Sequence, residues 1–525
     1  MKTILYLPIF IFGFFLTTDS EAQGISKTIP FSLTSPFSEP DGRSDLVKLP
    51  GGDFITLAKV KGNTISKSEF ALERYTNELV NKWKSTLIAD NTEDFKELYY
   101  NGKELVLLSV IHKVDEKKTT LVAYAFDLNT GSKTWNKDLE TYDIGKYEYH
   151  EHKGRVRESF IDVVCEHVDP MFVTPFQYKH NIVFSPDSSK FLSYVFNYAD
   201  KNLFAYLNIY DKAGNVLKKG KVSIDNDYIN HGIYLANDNT IYVLNENKFG
   251  KTNFIKYDLD THDFSLIELG GSSYQKEDFN VHFLNDDSFI VANIESEGDK
   301  LMGVMYSKVN FEKKEVEQSY VLSLDQGIRE KILKERKEFK NFKTEEDWRN
   351  YDLTNLYVSK SGEVFIAIEK RGLYSEGYPH IKKDAFDISH EVEVNGHVQA
   401  EGLILFGFDK AGTLMWNKYI GKNQIYPAND GLNTVSCVID FTVDLKKIKI
   451  VYATSENMTA ALHQINVVEI DKKSGEVTKS VFLPNNEKLI IVRDYTTWAS
   501  ASNLLFVGKK SLTGKASYMI NYKID

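Results

Sequence analysis

A repeat constrains this chain more than any other feature. A short polar turn between two apolar runs occurs eight times, at Pro50-Gly51-Gly52-Asp53, Asn101-Gly102-Lys103, Pro186-Asp187-Ser188-Ser189, Asn237-Asp238-Asn239, Asn285-Asp286-Asp287, Lys360-Ser361-Gly362, Asp444-Leu445-Lys446 and Ser500-Ala501-Ser502. Gly, Asn and Asp suit such turns because they tolerate positive φ or bond their own backbone. A second element, an aromatic-rich strand that turns into another strand, follows seven of them. It is seen at Tyr75-Thr76-Asn77, Phe126 to Gly131, Tyr210 to Gly214, Tyr257 to Asp260, Val309 to Glu312, Phe408 to Gly412 and Ile470 to Gly475. Two hairpins in about 45 to 50 residues make a four-stranded antiparallel sheet, the size of one propeller blade.

The eighth copy stops at three strands, with Leu504 to Gly508 and Tyr518 to Ile524 after its turn. At the other terminus, residues 25 to 34 alternate Ile29, Phe31 and Leu33 with Pro30, Ser32 and Thr34, which predicts a spare strand. The expectation is an all-β chain forming one eight-bladed β-propeller, closed by that N-terminal strand so that no sheet edge is left open. A seven-bladed ring with a stray sheet is the alternative. The hairpin turns, expected to be about two to four residues long, fall on one face. Long insertions at 140–180, 325–350, 371–400 and 421–433 all emerge on the other. The 325–350 segment predicts a helix with the apolar stripe Ile328, Ile332, Leu333, Phe339 and Phe342, and packing on its own propeller is the expected role of that stripe.

Composition narrows the class of partner. Lys and Arg total 64 against 74 Asp and Glu, a net charge of −10, which disfavours nucleic acid and anionic membrane surfaces. Residues 1–22 read as a signal peptide: Lys2 supplies the positive region, Ile4 to Leu16 is apolar, and Ser20-Glu21-Ala22 places small residues before Gln23. The propeller domain then occupies 23–525. The expected destination is the periplasm or the extracellular space, without a lipid anchor because no Cys lies near the cleavage site, and no later apolar run is long enough to span a bilayer. Cys165 and Cys437 are expected to be two buried thiols rather than a disulfide.

Ala125-Phe126-Asp127-Leu128-Asn129-Thr130-Gly131-Ser132-Lys133-Thr134-Trp135 resembles the A-x-D-x-x-T-G-x-x-x-W repeat of quinoprotein-type propellers, with a looser copy at Asp409, Gly412 and Trp416. Phe184-Ser185-Pro186-Asp187-Ser188-Ser189-Lys190 resembles the repeat of TolB-type, WD40-like periplasmic propellers. Each resemblance covers one blade and implies the fold. In these repeats the Asp accepts turn donors, the Gly supplies positive φ and the Trp wedges between blades. The adjacent cysteines of the quinone-dependent dehydrogenases are absent, so no organic cofactor is expected, and no G-x-S-x-G hydrolase turn is present.

Function is less legible. Of 12 His, seven lie in 140–180 and 371–400, where about 1.6 would fall by length alone. His150, His152 and His167 are candidate ligands for a divalent metal. Tyr147, Tyr149, Trp348, Tyr374, His380, His390, His397 and Tyr426 are candidate contacts on the insertion-bearing face, although for any one of them packing of the insertion is the simpler role. The expected function is a non-catalytic binding or scaffold module for a protein, peptide or glycan. The alternative is a metal- or carboxylate-dependent enzyme with its site on the same face.

Overall fold

The computed structural model describes residues 24–31, 46–64, 67–90, 93–113, 116, 118–143, 180–199, 202–224, 228–247, 251–261, 263–270, 275–298, 300–337, 348–375, 382–383, 389–390, 396–427, 437–454, 464–483, 490–509 and 517–524. They form eight four-stranded antiparallel sheets and one two-stranded ribbon. Blades one to eight run over 46–90, 93–143, 181–224, 228–268, 275–323, 351–427, 438–483 and 490–523, the last completed by 24–31. The first strand of each blade is innermost, since first strands of neighbouring blades touch one another. The fourth is outermost and carries exposed apolar side chains such as Ile88, Phe264, Val321 and Phe482.

Ring closure follows the expected scheme. Gly24–Phe31 pairs antiparallel with Ser517–Lys523, in register from Gly24 opposite Lys523 to Phe31 opposite Ser517. The sequence left one strand unpaired at each terminus, and pairing them removes an edge that would otherwise template aggregation. Blade eight then packs on blade one through Val492, Leu505 and Met519 against Phe54, Tyr75 and Leu79. The remaining seven seams each hold an apolar cluster of their own, so the core is a ring of wedges rather than a single centre.

All eight first-hairpin turns and all seven second-hairpin turns read from the sequence lie on one face. The intervals between their strands run from two residues, at 286–287, to six, at 127–132, somewhat longer than the two to four expected. Asp127 Oδ1 accepts from the backbone N–H groups of Asn129 and Thr130 at 2.9 and 2.8 Å. Asp409 and Asp471 repeat the arrangement. Gly131, at φ 70°, closes its turn beneath the Trp83 ring of blade one, where a Cβ would come within 2.4 Å of the indole. Trp83 Nε1 also donates to Leu128 O at 2.6 Å. Trp416 of blade six repeats this on blade seven, covering Gly475 and donating to Lys472 O at 2.8 Å. Trp416 is therefore a wedge between blades, as its motif implied. Trp135 instead donates to Glu104 within its own blade, and Leu139 is the side chain that meets Gly214 of blade three.

The helix forms at Gln326–Lys337. Asp325 caps it by accepting from the N–H of Ile328 at 2.9 Å. Ile332 is buried, and Ile328 and Leu333 pack beside it on the core between blades five and six; Phe339 and Phe342 lie outside the described residues. Its polar side covers the outer edge of blade six, because Glu335 accepts from the N–H of Tyr419 at 2.9 Å and Lys331 donates to Asn417 O at 3.0 Å. A helix thus satisfies backbone groups that an edge strand leaves free. Among the described residues no helix is long and apolar enough to cross a membrane.

Candidate functional site

The insertion-bearing end of blade six rises above the ring. Its second, third and fourth strands, Val364–Ser375, Gly396–Phe408 and Leu414–Pro427, have 12, 13 and 14 residues, whereas the corresponding strands of blade four have 7, 6 and 5. This extension places three of the sequence candidates at one end of the sheet, two of them in direct register and Tyr426 opposite Val398, one position away. Tyr374 is the direct cross-strand partner of His397, and His397 pairs with Pro427, next to Tyr426. His390 lies on the ribbon formed by Lys382–Lys383 and Ser389–His390, where it pairs with Lys382. Trp348 is 4% exposed, stacked on Tyr351 and covered by the Arg329 guanidinium 4.6 Å from its ring, so it fastens the helix to blade six. His150, His152, His167, Tyr147, Tyr149 and His380 lie outside the described residues.

Buried charge lies beneath this rim. Glu369 and Lys422, on the second and outermost strands of blade six, form an ion pair with both side chains fully buried. Glu369 also accepts from the N–H of Cys437 at 3.2 Å, and Lys422 donates to Gln424 Oε1 at 2.6 Å. Lys370 pairs with Glu401 at 2.6 Å, and Arg371 pairs with Asp352. Burial, reinforced by the Glu369 carboxylate, pushes the Cys437 thiol up to about 12. It is a buried free thiol with little nucleophilic character, as expected for one of the pair; Cys165 lies outside the described residues.

A second buried cluster joins blades two and three at the same end, where the 140–180 insertion begins and ends. Glu140 accepts from Tyr210 OH at 2.9 Å, Tyr142 OH at 3.1 Å, Ser193 Oγ and Asn208 Nδ2, and His180 Nδ1 stands 3.3 Å away. Burial, with the Glu140 carboxylate adding to it, raises the Tyr142 and Tyr210 phenols well above their ordinary range. His180 is fully buried. The acceptor capacity of this carboxylate is taken up by donors from three strands, which suits a fastening role. Among the described residues no group of three or more His, Cys, Asp or Glu is placed to hold a metal ion.

The Glu369, Lys370 and Lys422 cluster and the Glu140 cluster were not singled out from the sequence. A signal for the first existed: Glu369-Lys370 interrupts the apolar run that begins at Val364 in a strand buried on both sides. Glu140 carried none, since its neighbours Asp138 and Tyr142 look like those of any half-exposed outer strand.

No family model matches the chain, and no curated protein matches it in sequence. Several solved structures align with it. The WD40 domain of SCAP from fission yeast aligns over 95% of this chain and 98% of its own, with 10% identity and a TM-score of 0.37. A prolyl endopeptidase aligns over 91% of this chain and 55% of its own, with 12% identity and a TM-score of 0.40. The periplasmic gluconolactonase PpgL of Pseudomonas aeruginosa aligns over 72% and 87%, with 11% identity and a TM-score of 0.34. These are similarities of fold alone.

Proposed function

We propose that the protein is an exported, non-catalytic β-propeller whose insertion-bearing face binds a protein, peptide or glycan. The supporting observation is the raised end of blade six, where Tyr374, His397 and Tyr426 share one sheet end above buried ion pairs that hold the strands in place. Rigid strands that carry irregular connections are a common support for binding residues. Aromatic and imidazole groups supply stacking and hydrogen bonding at low entropic cost. Export rests on the signal-peptide pattern of residues 1–22, which supports a destination in the periplasm or outside the cell. A divalent metal at His150, His152 and His167 is the second reading, supported by the histidine excess in 140–180. The test combines metal analysis of the purified protein with binding to immobilised glycan and peptide arrays. Replacing His150, His152, His390 and His397 together is expected to abolish binding with the melting temperature unchanged. Unchanged binding by that variant would contradict the proposal.

A further inference from the structure

The innermost strands break register at one level of the ring. Bulges fall between Phe95 and Glu97, Asn230 and Gly232, Glu277 and Asn280, Leu353 and Asn355, and Val492 and Thr497. Each lies roughly five to eight residues before its blade's first-hairpin turn, in the half of the axial opening nearer the insertions; bulges often re-aim side chains beside functional sites. Within the second of these, His231 meets Phe279 of the next blade with the rings tilted by 45° and their centroids 4.5 Å apart. Within the third, Asp278 holds a φ of 50°, a conformation that costs free energy and persists where the surroundings enforce it.

The break in blade eight is the widest of the five. Arg493 to Thr496 stand between Val492, opposite Val507, and Thr497, opposite Leu505. Two of these residues fix the bulge: Tyr495 OH donates to Leu57 O of blade one at 2.9 Å, and Thr496 Oγ1 donates to Val492 O at 2.7 Å. Arg493, in the same bulge of the innermost strand, is half-buried. Its charge reaches Cys437, where it works with Lys422 against the rise of the thiol. Among the described residues Arg493 has no ion-pair or hydrogen-bond partner. Three other cations of the described blades are engaged: Lys48 donates to Trp498 O at 2.6 Å, Lys96 pairs with Asp94, and Arg371 pairs with Asp352. A partly desolvated guanidinium without a partner is costly, and such exceptions concentrate where a ligand completes them.

We propose that Arg493 anchors a ligand carboxylate at the axial opening. This rests on the reading of the insertion-bearing face as the binding face and names a chemistry for it. The planar guanidinium matches a carboxylate with two parallel hydrogen bonds. A dianion is disfavoured because Asp278, Asp352 and Glu369 all act on Arg371 in the same region, so one negative charge is balanced and two are not. The carboxylate could be a peptide C-terminus or an acidic sugar, and the probes separate the two.

The experiment is isothermal titration of the full chain with N-acetyl-triglycine, its C-terminal amide, glucuronate and glucose. One of the two acids is expected to bind, with its neutral counterpart at least about tenfold weaker. Arg493→Gln is expected to weaken that acid by about tenfold or more without moving the melting temperature, and Arg493→Lys to retain part of the affinity. Absence of binding by both acids, equal binding by Arg493→Gln, or a fall of several degrees in its melting temperature would each overturn the proposal. Acid binding that survives Arg493→Gln but is lost in the Tyr374→Ala, His397→Ala, Tyr426→Ala variant would overturn Arg493 as anchor and leave the binding face standing. Binding lost only on altering the turns at Asp187 and Asp286 would remove the face as well.

Discussion

The two faces of the ring solve different problems with the same strands. On the turn face each hairpin is short, and the turn aspartates bond backbone N–H groups within the turn or in a neighbouring blade. Trp83 over Gly131 and Trp416 over Gly475 close two seams, and Asn237 links the first turns of blades three to five by donating to Asp286 at 2.7 Å and accepting from Asp187 N at 3.1 Å. At the insertion-bearing end the strands are uneven in length, and the seams hold buried carboxylates and ammonium groups instead of glycine and indole. The contrast indicates where change is tolerated. A turn locked to its neighbour resists substitution, whereas a strand end fixed from below by ion pairs can carry variable residues above it.

The largest effect expected from breaking this arrangement comes from neither face but from the closure that both need. Deleting residues 24–31 uncovers the edge of Ser517–Lys523, and the protein should aggregate, as read by light scattering and calorimetry. Next comes the support beneath the rim. Lys422→Met leaves Glu369 charged and buried, and a loss of about 3–5 kcal/mol in denaturant unfolding is expected. On the turn face, Gly131→Ala must adopt positive φ and push its Cβ against the Trp83 ring, for a loss of about 2 kcal/mol or more. The smallest effect is electrostatic. Lys308, Lys313 and Asn310 donate to Glu317 beside a turn of blade five and hold its carboxyl at about 2, below its ordinary 4.5. Because the folded value is depressed, this contribution is complete above about pH 4.5 and fades as pH falls toward 2. Glu317→Gln should therefore lower stability slightly at neutral pH, since its lysine partners are solvent-screened, converge on the parent as pH falls toward 2, and so flatten the acid limb of the stability curve.

The turn face was the more legible in the sequence because its chemistry is local. An Asp that bonds the N–H two residues on, and a Gly at positive φ, leave a mark within five residues, so all fifteen turns could be placed. The unpaired strand at each terminus was legible for a similar reason, since a count of strands per repeat exposes a deficit. Contacts between blades leave no such mark. Gly220 of blade three gives room to Leu259 of blade four, the reverse of Trp83 over Gly131, and nothing in the spacing distinguishes the two solutions. The same holds for Glu140, whose five neighbours come from three separate strands and the residue that precedes a fourth. Arg493 was equally hidden, because a bulge is a property of two strands and a sequence shows one at a time. Trp348 shows the converse limit: a large aromatic in an insertion suggested an exposed contact, while in the fold it fastens a helix.

The most direct test compares the two faces in one binding measurement. The full chain, the Tyr374→Ala, His397→Ala, Tyr426→Ala variant and an Asp187→Ala, Asp286→Ala turn variant are applied to the same peptide and glycan arrays, with melting temperatures recorded alongside. If the insertion-bearing face binds, the first variant loses the signal while keeping its melting temperature, and the turn variant keeps the signal while melting earlier. Binding that survives the changes on blade six and disappears with the two turn aspartates would contradict it.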